Sequence, residues 1–198
     1  MALRTSLLWL LPHKWINLSE IKRWMASRNS ADGRFGLLLA LCFGFLQSYR
    51  WANNVDDLVV RAIASVIIGL VAGLAVYLAG GGLLNWSLRS LGGSGDVEAT
   101  RSGLFLASVP LLWAMVLAAG YGLLGRTLAV STDAAGILLY ALVAFYLAAV
   151  VWSLVLAVVV LGQAHAITGV RVFAAILLAA VIGYLPWVTC ATLIDSLV

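Results

Sequence analysis

The side chains that could carry chemistry in this 198-residue chain are a few acids, two histidines and two cysteines. Paired carboxylates could serve an intramembrane hydrolase as general acid and base. The acids nearest the apolar stretches lie in loops or at helix ends, where a solvated rim accounts for them; they are Asp56, Asp57, Asp96, Glu98 and Asp133.

The histidines and cysteines are far apart in the sequence and predict neither a metal site nor a cofactor. His13 stands alone near the N-terminus, and His165 lies in the stretch Gly162–Thr168 with nothing beside it to complete a metal shell. At that position, a histidine is read either as a hydrogen-bonding residue or as an interaction or pH-sensitive site. Cys42 and Cys190 both sit in apolar stretches and are read as small packing residues.

Catalytic motifs are equally missing from the sequence. It contains no Gly-rich phosphate loop, no His-Glu-x-x-His pair and no Gly-x-Ser-x-Gly elbow. We therefore expect a protein that is not an enzyme, and an intramembrane enzyme is a third alternative behind the two functions given below.

Composition indicates that lipid is the solvent. The chain is 64% hydrophobic and 10% charged, with a mean hydropathy of +1.07, whereas soluble domains are about 25% charged. Because roughly 20 apolar residues span a bilayer as a helix, the apolar stretches predict an all-α polytopic membrane bundle of five transmembrane helices. The predicted spans are residues 35–51, 58–78, 103–124, 134–161 and 170–193.

Two of these spans have features that affect their shape. Pro110 removes a backbone donor inside the third span and predicts a kink there. Residues 83–91 follow the three glycines Gly80–Gly82 and could extend the second span or lie along the membrane surface. The segment Gly92–Asp96 is predicted to be a flexible loop.

The predicted domain organisation has residues 1–34 as a cytoplasmic, interfacial amphipathic segment and residues 35–198 as the five-span membrane domain. Leu18, Ile21 and Met25 share one helical face, and Trp24 lies at its edge. This pattern suits a short helix in the headgroup layer, with a connector helix packed on the bundle as the alternative.

The positions of the twelve Lys and Arg residues predict the orientation. Six precede the first span. With five spans and the N-terminus inside, nine lie on the cytoplasmic side and three opposite, which favours a cytoplasmic N-terminus and an external C-terminus. We read these charges as a topology signal and not as a nucleic-acid patch, and in a bacterium the membrane would be the inner one.

Small residues four positions apart occur in every predicted span and favour close helix packing. They also allow a homo-oligomer, although such spacings arise by chance in an Ala- and Gly-rich sequence. The pairs are Ala40/Gly44, Gly69/Gly73, Ala118/Gly122 and Ala144/Ala148, with Ala175, Ala179 and Gly183 in the last span.

Three stretches together resemble the Yip (Ypt-interacting protein) family, especially its bacterial branch. They are Tyr77–Leu84 with Leu91–Gly93, then Ala107–Pro110, and Trp152 with Ala164–Arg171. The resemblance covers about residues 35–193 and implies a five-span helical fold with a cytoplasmic N-terminus. Its eukaryotic members are linked to Rab GTPases and to membrane traffic at the Golgi and endoplasmic reticulum.

The function we expect is a scaffold or adaptor in membrane organisation or trafficking-like processes, with the bilayer and proteins at the cytoplasmic face as partners. The alternative is a small transporter, channel or lipid-moving protein, in which Pro110, Pro186 and the three glycines Gly80–Gly82 open the helices. Its path would be lined by Gln47, Ser153, Gln163 and Thr189.

Five residues form the candidate interaction face. The predicted topology brings residues 80–100 and 163–171 to one side of the membrane. The resemblance points within them to Gly92, Gly93, His165 and Arg171, and Arg101 adds a charge beside them. We expect the two glycines to allow a sharp turn, Asp96 and Glu98 to pair with Arg101 or Arg171, and His165 to donate to a backbone carbonyl. Loop folding alone remains the other reading of these residues.

Overall fold

The computed structural model describes residue 17 and residues 33–51, 57–127 and 132–197, and it is a helical bundle without strands in those ranges. This confirms the all-α prediction. The predicted amphipathic segment 1–34 lies outside the described residues, apart from Asn17 and the first two residues of the first helix.

Seven α-helices and one π-helical turn make up the described chain. They are α1 (Gly33–Trp51), α2 (Leu58–Ala75), the π-helical turn Val76–Gly80, α3 (Gly81–Ser90), α4 (Val97–Ala107), α5 (Val109–Thr127), α6 (Thr132–His165) and α7 (Gly169–Leu197). The second predicted span therefore continues as a helix through the three glycines, and residues 83–90 extend it to Ser90.

Two helices in the described ranges are long and apolar enough to cross a membrane, Ala62–Ser90 and Gly136–His165. A third crossing results if α4 and α5 count as one broken span, since Val97–Ala107 and Val109–Tyr121 meet at 44°. The break lies next to Pro110, as the missing N–H predicts. The segments Gly36–Leu46 and Gly169–Gly183 are shorter apolar helices, so the count of five spans stays a prediction.

Glycines bring α1 and α2 into backbone contact. A Cβ atom added at Gly44 would meet the amide nitrogen of Gly73 at 2.6 Å, and one added at Gly73 would meet the carbonyl oxygen of Ala40 at 2.6 Å. Gly69 is similarly close to the backbone of Phe45. The predicted small-residue patterns of the first two spans therefore meet each other, as helix association in lipid favours.

The other small-residue patterns are divided between core and surface. Ala175 of α7 is fully buried, whereas Ala118, Ala144 and Ala148 are exposed. The central core is formed by apolar side chains of α3, α4, α6 and α7 with the start of α5, including Leu88, Phe105, Val109, Leu156, Leu161 and Val172. It lies directly beneath the loop after α3 and the turn after α6.

Candidate functional site

The ends of α3 and α6 are built in the same way. At the end of α3, Gly93 N donates to Leu88 O (2.9 Å) and Gly92 N donates to Arg89 O (3.0 Å). This pair of bonds is the Schellman motif, which needs a left-handed residue just past the helix. Gly92 supplies it with φ +93°, so the predicted sharp turn at the glycines is present.

At the end of α6, an alanine takes the left-handed position. Ile167 N donates to Gly162 O (3.1 Å) and Ala166 N donates to Gln163 O (3.4 Å), while Ala166 has φ +54°. A left-handed backbone costs a residue with a Cβ atom roughly 1 kcal/mol. Ala166 is the one non-glycine residue with positive φ in the described part of the chain.

These two helix ends are held together by hydrogen bonds. Ser94 donates to the carbonyl oxygen of His165 through its backbone nitrogen (3.1 Å) and its hydroxyl (3.3 Å). We call this unit, residues 91–96 together with residues 162–168, the loop pair. The structure thus brings Gly92, Gly93 and His165 together, as the sequence analysis expected.

The imidazole of His165 lies inside the loop pair and is fully buried. Gly95 N donates to its Nδ1 (3.2 Å), and its Nε2 lies 2.7 Å from Thr100 Oγ1. A backbone N–H can only donate, so Nδ1 carries no proton and the neutral ring is protonated at Nε2. The ring therefore donates to a threonine hydroxyl, and the expected bond to a backbone carbonyl was wrong.

Thr100 completes a chain of polar groups between α3, α4 and α6. Its side chain is fully buried, and its hydroxyl lies 2.8 Å from Asp96 O and 3.0 Å from Asn85 Oδ1. Because the Thr100 hydroxyl accepts a hydrogen bond from His165 Nε2, its own proton can be donated to either Asp96 O or Asn85 Oδ1. All hydrogen-bonding atoms of the imidazole are satisfied, as burial requires.

Glycines make room for this arrangement. A Cβ atom at Gly93 would lie 2.7 Å from His165 Nδ1 and 2.8 Å from Leu88 O. At Gly95 it would lie 2.6 Å from Ala164 O and 2.9 Å from the imidazole. The loop predicted to be flexible is therefore tightly packed, and its glycines permit close approach.

The charged residues around the loop pair have different roles from those expected. The Asp96 carboxylate caps α4 by accepting from Ala99 N (2.6 Å), and Arg89 donates from Nε to Gly95 O (3.3 Å). Arg171 is exposed, with its guanidinium beside Gly92. The expected ion pairs from Asp96 and Glu98 to Arg101 or Arg171 are not formed among the described residues.

Arg101 points away from the loop pair, toward the π-helical turn. Its Nη2 donates to Leu78 O (3.1 Å), and its guanidinium carbon lies 5.4 Å from the ring centroid of Tyr77. Gly81 leaves room for the aliphatic part of the Arg101 side chain, since a Cβ atom at Gly81 would overlap Arg101 Cγ. Four of the five candidate residues thus gather at the loop pair, and Arg101 lies on the neighbouring face.

Sequence reasoning missed Asn85, Gly95 and Thr100 as members of this site, and Tyr77 as the partner of Arg101. Asn85 and Thr100 had no distinguishing pattern, since a single polar residue on an apolar helix has many uses. In the described part of the chain, no three His, Cys, Asp or Glu side chains come together as metal ligands.

Long apolar helices around an apolar core define this chain as an integral helical membrane protein. It belongs to the Yip1 domain family, whose domain matches residues 6–189. No curated protein and no solved structure matches the chain.

Proposed function

We propose that the chain is a non-enzymatic membrane scaffold or adaptor whose loop pair is the docking surface for a protein partner. The observation that carries this proposal is the rigid joining of two helix ends by the buried pair His165 and Thr100. A surface held in one conformation loses less entropy on binding than a mobile loop does.

The distribution of polar groups supports docking over catalysis. His165, the residue most suited to proton transfer, has both ring nitrogens engaged and is shielded from any substrate. The side chains left exposed around it are mixed in charge and polarity, as suits a protein contact. They are Arg89, Ser94, Glu98, Gln163 and Arg171.

The charge asymmetry supports a cytoplasmic position for this surface. With five spans, a cytoplasmic N-terminus and an external C-terminus, Arg89, Arg101 and Arg171 fall on the inner side. In a bacterium the membrane is the inner membrane. Thiol labelling of intact cells tests this orientation, with both native cysteines replaced (C42A/C190A). A cysteine introduced at Ser94 should be protected from a membrane-impermeant thiol reagent, whereas one introduced at Ser131 should be labelled. Labelling at Ser94 with protection at Ser131 would overturn the orientation.

Site-specific photo-crosslinking in intact membranes tests docking. A photoreactive residue at Gln163, exposed in the last turn of α6, should give a protein adduct of discrete mass. The matched control is Leu147 on the same helix, which is 60% exposed and should give lipid adducts alone. Lipid adducts at both positions, or the same protein adduct at both, would contradict the proposal.

A small transporter or lipid-moving protein is the second candidate, favoured by the break between α4 and α5. Broken membrane helices often line a substrate path. Four buried hydroxyls in the described ranges have no hydrogen-bond partner, those of Ser65, Ser87, Ser102 and Ser153. Lipid scrambling or ion flux measured with the purified protein in liposomes tests this candidate. Activity that is slowed by P110A would support it. Scrambling and flux no faster than in protein-free liposomes would exclude both activities.

A further inference from the structure

The guanidinium of Arg101 is only partly satisfied by the protein. Its inner edge is buried, and Nε there has no hydrogen-bond partner. Nη2 donates to Leu78 O at an exposed position. No described carboxylate forms a salt bridge with it. The charge is thus fixed against a carbonyl and an aromatic ring, neither of which neutralises it.

Its position is fixed by the elements around it. Tyr77 is buried beneath the guanidinium and packs on Phe105, with ring centroids 5.8 Å apart. Gly81 leaves space for the aliphatic stem. Stacking on an aromatic face and a fixed stem restrict the guanidinium to one orientation, which favours a ligand that binds arginine through two parallel hydrogen bonds.

The surface next to Arg101 faces lipid. Val76 and Leu78 of the π-helical turn are 45% and 47% exposed, and such apolar exposure in a membrane protein lies against acyl chains. Arg101 lies five residues into α4 from the Asp96 cap, about 7.5 Å along the helix at 1.5 Å per residue. The guanidinium therefore lies near the N-terminal end of α4, beside these exposed apolar side chains.

We propose that Arg101 binds the phosphate of an anionic phospholipid, with Tyr77 and Gly81 holding the guanidinium in place. An arginine fork and a phosphate form strong charge-assisted hydrogen bonds, and an unpaired charge beside exposed apolar side chains makes such a partner favourable. The site is separate from the loop pair, so it does not depend on the docking proposal.

Glu98 is the acid that could act instead of a lipid. It lies one turn before Arg101 on α4 and is exposed. If Glu98 neutralised Arg101 in solution, removing the Glu98 carboxylate would strongly increase lipid binding.

Native mass spectrometry of the full chain in neutral detergent provides the test, with phosphatidylglycerol as the probe. We expect R101Q to bind it about tenfold more weakly than the unchanged protein, and R101K to be intermediate because an ammonium keeps the charge but not the fork. The matched control is R171Q, which removes an exposed arginine at the same end and should bind normally. E98Q should bind within about twofold of the unchanged protein.

Each other outcome overturns the proposal. Equal losses in R101Q and R171Q would mean general surface attraction. Unchanged binding in R101Q would remove Arg101 from the site. Competition by inorganic phosphate as effective as added phosphatidylglycerol would indicate a free-anion site, and a large gain in E98Q would make Glu98 the partner. Because R101Q also loses its bond to Leu78 O, binding is compared on the monodisperse folded fraction of each variant.

Discussion

The Nε2 atom of His165 lies 2.7 Å from the Oγ1 atom of Thr100, across 65 residues of sequence. This contact joins the end of α6 to the first turn of α4, and both side chains are fully buried. The neighbouring bond from Gly95 N to Nδ1 fixes which ring nitrogen is protonated. The Thr100 hydroxyl thus adds a buried bond from α4 to the contacts that Ser94 and Gly95 make with His165.

Replacing Thr100 by valine should destabilise the protein. T100V keeps the shape of the side chain but leaves the His165 Nε2–H buried without an acceptor, which costs about 1–3 kcal/mol. T100S restores the hydroxyl and should recover most of the loss. Thermal unfolding in detergent measures both. The control is S90A, which removes an exposed hydroxyl bonded to Trp86 O and should change little. Equal stability of T100V and S90A would contradict the role given to this bond.

Glycine-to-alanine substitutions distinguish close approach from simple chain flexibility. G93A should be strongly destabilising because the new methyl overlaps His165 Nδ1 and Leu88 O. G82A is the matched control, since a Cβ atom at Gly82 meets nothing within 4 Å. It lies in a helix, where alanine is favoured over glycine by roughly 0.5–1 kcal/mol, and should raise the unfolding temperature. Tolerance of both substitutions would show that the loop is not packed as described.

The positive φ of Ala166 predicts that a substitution can improve the protein. A166G relieves the steric cost of a left-handed alanine and should increase stability by up to about 1 kcal/mol. The stabilised loop pair should also exchange its amide hydrogens more slowly, as measured by mass spectrometry. A loss of stability in A166G would indicate that the turn after α6 has a different backbone conformation.

The contact between α1 and α2 should depend on the absence of side chains at its centre. G73A places a methyl against Ala40 O and should separate the helices, at a cost comparable to overpacking a core, about 1–3 kcal/mol. G136A is the control, since a Cβ atom there meets nothing within 4 Å. Thermal unfolding of the two variants decides the matter, and similar unfolding temperatures would argue against this helix contact.

Much of the fold could be predicted from the sequence, because hydrophobic length and helical breaks are local properties. The apolar stretches predicted the helices, Pro110 predicted the bend, and the small-residue spacings predicted close helix packing without indicating which helices meet. The extension of α2 through Gly80–Gly82 was left open, since glycine both ends helices and permits close packing. Here Gly81 accommodates the stem of Arg101, a contact with a residue twenty positions away.

The candidate site could be predicted only in part. Gly92, Gly93 and His165 stood out and do meet, but their role as an interaction face stays a prediction. The partners Asn85 and Thr100 and the left-handed Ala166 could not have been found, because each depends on the docking of distant helix ends. The expected salt bridges were wrong for a related reason: the Asp96 carboxylate caps the helix that it precedes.

Docking at the loop pair is tested most directly by crosslinking from Gln163 in the T100V background. The unchanged protein and T100V have the same exposed side chains, because Thr100 is buried. The substitution therefore changes the conformational order of the loop pair and not the residues on its surface. The account predicts that the discrete protein adduct is lost in T100V and retained in S90A, when folded yields by size-exclusion chromatography are equal. An undiminished adduct in T100V, with faster amide exchange in residues 91–96, would contradict it, since docking would then not need the loop pair to be held together.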